Sequence, residues 1–333
     1  MTQESILDGV RRSCRQASSS SSQVRINKQK LEEFSKGLAE EATTIKNKFS
    51  RADPYPLKFD PIEFEINFNC IYALLSFGSG YTKELDQHVG KGLDEILKYG
   101  LLSMTLSGAN LDTEFMVKFT ISDVENYFRI PIQEEVQHPT NPIVRIGQNT
   151  SVQPFAEYIR YAMNDCGNVL SRRGHKDFAS FINSTLQENS TAAHLIQQVT
   201  KTFPHVFNDE SAHSSTPPIQ VLFHKKAQLL VINLYRQLKT KNSIFDFSDI
   251  SQLTCLAEPI VFATLIEKGI LEGTSEGTTP INGIADEVEL RAQSVVAVED
   301  MINKADALSA AEVWLHLSKS SPAVNLQVKK TVM

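Results

Sequence analysis

Apolar residues recur at three- and four-residue spacing along almost the whole chain, and this feature narrows the possible folds more than any other. In "INKQKLEEFSKGLAEEA", Ile26, Leu31, Phe34 and Leu38 fall near one helical face. Leu93, Ile96, Leu97 and Leu101 do the same between Gly90 and Leu106. No stretch shows the sustained period of two that a half-buried strand requires, and no Gly-rich strand–turn–helix unit is present. The pattern predicts an all-α fold of roughly a dozen helices, packed as a single domain over residues 24–333.

The breaks between helices are read from composition. Residues 1–23 end in the serine run Ser18 to Ser22 followed by Gln23, too polar to bury a face, and are expected to form a disordered Ser-rich tail. "ADPYPLKFDPIE" is a Pro-rich connector. "ISDVENYF" suggests a capping box in which Ser122 is the N-cap and Glu125 the return partner. Residues 131–150 are rich in Pro, Asn and Gln and are expected to be loop. "NDESAHSSTPP" is a polar loop before the most apolar predicted helix, "IQVLFHKKAQLLVINLYRQL".

Composition then removes several function classes. The 333 residues are 41% hydrophobic and 22% charged, as in a globular protein, and the net charge of −6 repels a nucleic-acid backbone. No direct contact with duplex nucleic acid is expected, although a pocket for one nucleotide remains open. Cys14, Cys70, Cys166 and Cys255 lie far apart without a CxxC pair, which suggests reduced thiols and no structural zinc. No HExxH pair, GxSxG turn or Walker A loop occurs, so neither a metal nor another cofactor is expected. The longest apolar runs, such as "LLVI" and "SVVAV", are too short to span a bilayer, and the N-terminus lacks a signal core. A cytoplasmic protein without membrane partners is the resulting expectation.

Four places carry possible chemistry. In "INFNCIYALLSFGSGY" an amphipathic helix ends in Gly78 and Gly80, an ordinary C-cap or the wall of a pocket. In "TCLAEPIVFATLIEKGIL", Pro259 suits the first position of a helix and Gly269 its end. Glu258 then falls at the N-cap, where free N–H groups and the helix dipole favour a negative charge. It reads as an acidic cap or as a carboxylate facing a developing cation. Lys225 and Lys226 interrupt a strongly apolar helix, where they either snorkel to water or meet a phosphate. Glu312 stands two residues from the only tryptophan, Trp314. "RRGHK" at Arg172 to Lys176 and the pair Lys329 and Lys330 read as solvated charge.

Taken in order, these segments resemble the queuosine salvage proteins, the queuosine 5′-phosphate N-glycosylases, over about residues 63–319. "INFNCIYALLSF" is similar to the family's "VNF…DxLNFxFW", and "PFAEYIRYAMNDCGNVLSRRGHKDFASFI" to its "PLxEER…LNExGxxLxxKFGGSF". "LIQQVTKTFPHVFND" resembles "LVxxFPxFRD", and "FHKKAQLLVINLY" resembles "FYKRAQILVADLW". "FSDISQLTCLAEPIVFATLIEKGIL" is similar to "FxDIxxLTMFADYRxPQxLxxLGxL", and "AEVWLHLS" to "LDYYLW".

The resemblance implies a helical fold related to the helix–hairpin–helix DNA glycosylases. It also implies hydrolysis of the N-glycosidic bond of a modified 7-deazaguanine nucleoside monophosphate, a small-molecule nucleotide, releasing queuine for reuse in tRNA. On this reading Glu258, in place of the family's Asp, stabilises the sugar cation, and Lys225 or Lys226 holds the 5′-phosphate. Glu312 replaces the Asp of "LDYYLW" as a partner for the base. The first motif departs from the family: Ala73 stands for Asp, Ser76 for Asn and Gly80 for Trp, which leaves Tyr81 as the candidate stacking ring beside Ser76. "ADYRxPQ" has become "AEPIVFA". These departures open an alternative, a catalytically silent paralogue that binds a nucleotide or serves as a scaffold.

Overall fold

The helical spacing is realised. In the computed structural model, which describes residues 4–274, 286–305 and 307–320, 63% of the described residues are helix and 9% strand, the latter in short antiparallel pairs. The chain opens with α1 (Ile6–Ser19), β1 (Val24–Ile26), α2 (Lys28–Glu40) and α3 (Ala42–Ser50). Next come α4 (Ile62–Leu75), α5 (Thr82–Val89), α6 (Leu93–Leu106), α7 (Thr113–Lys118) and α8 (Ile121–Phe128). The strands β2 (Gln133–His138) and β3 (Asn141–Asn149) lead to α9 (Gln153–Arg172), α10 (Phe178–Glu188), α11 (Ala192–Thr202) and α12 (Pro204–Phe207). Then follow β4 (Glu210–His213), β5 (Ile219–Leu222), α13 (Lys225–Leu238), α14 (Pro259–Glu267), β6 (Leu271–Gly273), α15 (Glu287–Ala305) and α16 (Ala310–Ser318). The described residues group into two compact units: 4–55 with 185–320, and 56–184. One boundary falls inside the Pro-rich connector and the other within α10.

The first unit is built around α15, against which α1, α2, β1, α14 and α16 pack. The expected tail takes a different form. Leu7, Val10, Cys14 and Ala17 recur at helical spacing and are all buried, so α1 joins Val221, Phe223, Ala257, Val295 and Val296 in one core cluster. The serines that follow are polar because they serve a buried acid. Glu289 of α15 accepts the Ser21 hydroxyl and the backbone N–H groups of Ser22 (3.2 Å) and Gln23 (3.0 Å). Composition hid this segment, because its hydroxyls satisfy a buried carboxylate in place of water.

In the same unit, the apolar run expected to begin a helix at Ile219 divides in two. Ile219–Leu222 pairs antiparallel with Glu210–His213, and the helix starts only at Lys225. A short apolar run does not distinguish strand from helix by periodicity alone. The consequence is large, since it moves both lysines from a helix interior to a helix start. Farther along, Arg236 is 8% exposed and gathers the end of α3. Its guanidinium donates to the carbonyls of Phe49 (3.0 Å) and Arg51 (2.7 Å), which the helix leaves unpaired.

In the second unit α4, α7 and α8 each pack on α9, and α6 packs on α4 and α8. The capping box of α8 lies two residues earlier than expected, between Thr120 and Asp123. Residues 133–149, expected to be loop, form the β2–β3 hairpin. Most of its side chains face water, so no buried face imposes the alternation that reveals a strand. After α4 the chain turns at Gly78, whose φ of +86° is left-handed. A Cβ there would stand 2.3 Å from the Phe155 ring.

Two outcomes follow. Gly78→Ala is expected to lose about 2 kcal/mol or more, from strain and from displacing Phe155. Gly90→Ala, also left-handed at φ +71° but facing open space, loses only about 1 kcal/mol. Urea unfolding of both variants measures the gap, and equal losses would refute the account of Gly78. Arg236→Met is expected to cost about 2–3 kcal/mol in the same assay, through unsatisfied carbonyls at the end of α3.

Candidate functional site

Helix starts concentrate unpaired N–H groups, and two of them meet here. Glu258 is extended (φ −112°, ψ 154°), occupies the N-cap of α14 with Pro259 at the first position, and makes no side-chain cap bond of its own. Its carboxylate instead meets the ammonium of Lys225, first residue of α13, at 3.3 Å. Both side chains are 18% exposed, between bulk water and core. At that depth an ion pair is screened far less than on the surface, yet each partner still reaches solvent.

Lys225 is held from behind by Asp209. The Asp209 carbonyl accepts the N–H groups of Phe223 (2.9 Å) and His224 (3.2 Å), and its carboxylate accepts that of Lys225 (3.2 Å). Three successive N–H groups are thereby fixed, and His224 is bent into the left-handed region (φ 50°) just before the helix. Arg291 of α15 closes the arrangement. Its guanidinium donates to both Asp209 oxygens, Nη1 to Oδ1 at 2.9 Å, and stacks over the Phe223 ring at 3.9 Å. Burial alone would raise the Asp209 carboxyl, but the charge and hydrogen bonds of Arg291 hold it below the ordinary value of 3.8.

Other titratable groups border this site. Burial pushes the Glu287 carboxyl up, against the pull of Arg291. Burial pushes the Cys255 thiol well above its ordinary value, and the Glu258 charge adds to this. The Cys14 thiol is pushed up to about 12, again mainly by burial. Both thiols therefore stay protonated at neutral pH and supply no thiolate nucleophile.

The remaining residues singled out from the sequence are placed elsewhere. Lys226 is buried one position further along α13. Glu312 turns back on the start of its own helix, where it accepts the Ser309 N–H (2.7 Å) and hydroxyl (3.0 Å) in a capping box. It also lines a cleft of about 680 Å³ with Lys46, Phe49, Tyr235, Ile250 and Asn303. Ser76 and Tyr81 belong to the other unit. Ser76 caps α4 and donates its hydroxyl to the Tyr72 carbonyl (2.7 Å). Tyr81 is buried, its ring against Phe155 at a centroid distance of 5.6 Å. Arg172, Arg173 and Lys176 are exposed, while Lys329 and Lys330 lie outside the described residues.

Reading the sequence passed over Asp209 and Arg291. Asp209 ends the quoted "FPHVFND", and Arg291 is a lone cation among the apolar positions of "ELRAQSVVAV". A single charge within a buried helix requires a partner, and that was the available signal.

These features define a mainly helical protein in which a carboxylate and an ammonium group are brought together at two helix starts. Residues 108–320, more than half of the chain, match the family model described as queuosine salvage protein, and the chain belongs to that family. Glu258, Lys225, Lys226 and Glu312 fall inside the matched region, Ser76 and Tyr81 before it. No curated protein matches the chain. Membership supports a role in queuosine salvage and suggests a small-molecule nucleotide as substrate. Among the described residues no helix is long and apolar enough to cross a membrane.

Asp209→Asn is expected to cost about 3–5 kcal/mol near neutral pH, because Arg291 is left buried without its counter-charge. The folded Asp209 value lies below the unfolded one, so the pair's contribution is complete above 3.8 and is lost as pH falls through the lowered value. Urea unfolding of wild type and variant across pH should show a gap that narrows below that point. A gap constant with pH would contradict the assignment.

Proposed function

We propose that the chain hydrolyses the N-glycosidic bond of queuosine 5′-monophosphate or a closely related modified nucleotide and frees the base. The observation that carries this reading is the Lys225–Glu258 pair, because its two charges match the two ends of the proposed substrate's ribose phosphate. Cleavage of the C1′–N bond sends its electron pair to the base and leaves oxocarbenium character on the sugar, which an adjacent carboxylate stabilises. Water supplies the oxygen added at C1′, and its proton ends on the departing base, giving free base and ribose 5-phosphate. Glu258 faces the developing cation. Lys225, at the positive end of the α13 dipole, takes the phosphate as a point charge.

Base release from the nucleotide, followed by chromatography, tests the reading. Glu258→Gln is expected to reduce the rate by about a hundredfold or more, the scale for losing one preorganised electrostatic contact. Equal release by wild type and variant would contradict it. The ion pair itself favours a second reading, in which Lys225 neutralises Glu258 and the protein binds a nucleotide without turning it over. Tight nucleotide binding with no release by wild type would select that one.

A further inference from the structure

The group proposed to stabilise the sugar cation is paired with the group proposed to bind phosphate. We infer that the Lys225–Glu258 pair is a substrate-operated latch: the phosphate of a nucleoside 5′-monophosphate draws Lys225 away, and only then does Glu258 present its full charge to the ribose. The inference rests on the reading above for the roles of the two residues and adds a specificity device to it. A nucleoside without phosphate leaves the latch closed and is cleaved slowly even at saturation.

The geometry suits this exchange. The 3.3 Å contact joins an ammonium and a carboxylate whose side chains each reach solvent, so a phosphate can compete for the ammonium. The Lys225 backbone cannot follow its side chain, because Asp209 holds its N–H while Arg291 holds Asp209. Movement is therefore confined to the flexible lysine stem. Glu258, at the N-cap of α14 without a cap bond of its own, is held in place by its backbone when the lysine departs. Phosphate and Glu258 thus compete for one cation, a negative coupling between two sites.

Two measurements test the latch, and the first does not depend on turnover. Inorganic phosphate affinity is measured by calorimetry for wild type, Glu258→Gln, Lys225→Met and the double variant. The latch predicts about fivefold or more tighter phosphate binding in Glu258→Gln, the lower range of site coupling. It predicts that this gain disappears when Lys225 is Met. An equal gain in both backgrounds, as simple charge repulsion would give, overturns the latch, as does no gain. The second measurement is base release from the nucleotide and from its dephosphorylated nucleoside. Lys225→Met is expected to slow the nucleotide and to speed the saturated nucleoside by about fivefold or more, since the carboxylate is no longer neutralised. Slowing of both substrates alike overturns the latch while leaving Glu258 its role. Absence of release by wild type defeats the glycosidase reading alone, and the phosphate cycle still decides the latch.

Discussion

The candidate site depends on one buried ion pair. Asp209 and Arg291 are each less than a tenth exposed, and a carboxylate at that depth is stable only with a counter-charge and several hydrogen bonds. Asp209 spends its remaining acceptors on three consecutive N–H groups of residues 223–225. That act ends the β4–β5 hairpin, imposes a left-handed residue at His224 and starts α13 at Lys225. The two-strand pairing, the helix start and the placement of the lysine are thus one event. Two of these bonds use the Asp209 backbone carbonyl, so its charge acts through the Lys225 N–H and Arg291.

The same pair links the site to the core of its unit. Arg291 sits on α15, the helix around which α1, α2, α14 and α16 gather, and it stacks on Phe223, a member of the central apolar cluster. The serine run after α1 closes on Glu289 of the same helix, two residues before Arg291. Polar residues on α15 therefore fasten an N-terminal segment on one side and the α13 start on the other. Packing holds the helices, and these charges choose where the chain begins and ends them.

Much of this was legible in the residues and some was not. Helical spacing gave the fold class, and Pro259 with Gly269 marked α14 with Glu258 at its cap. α1 was obscured because its apolar stripe is short and followed by serines whose acceptor, Glu289, is distant in sequence. The β2–β3 hairpin was obscured because it buries neither face. The start of α13 was misplaced because "IQVL" and the helix after it form one apolar run, and the residue that divides them, Asp209, is ten residues before Ile219. For α1 and the start of α13 the missing information was a partner outside the segment itself. The pairing of Lys225 with Glu258 is of the same kind, since 33 residues separate groups whose charges meet at 3.3 Å.

The central claim is that Glu258 and Lys225 address the two ends of a nucleotide's ribose phosphate. A crystal structure of Glu258→Gln soaked with the nucleoside 5′-monophosphate tests it most directly. The account predicts the phosphate on the Lys225 ammonium and the anomeric carbon facing residue 258. A nucleotide seated instead in the cleft beside Glu312, with Lys225 still turned to residue 258, would contradict it.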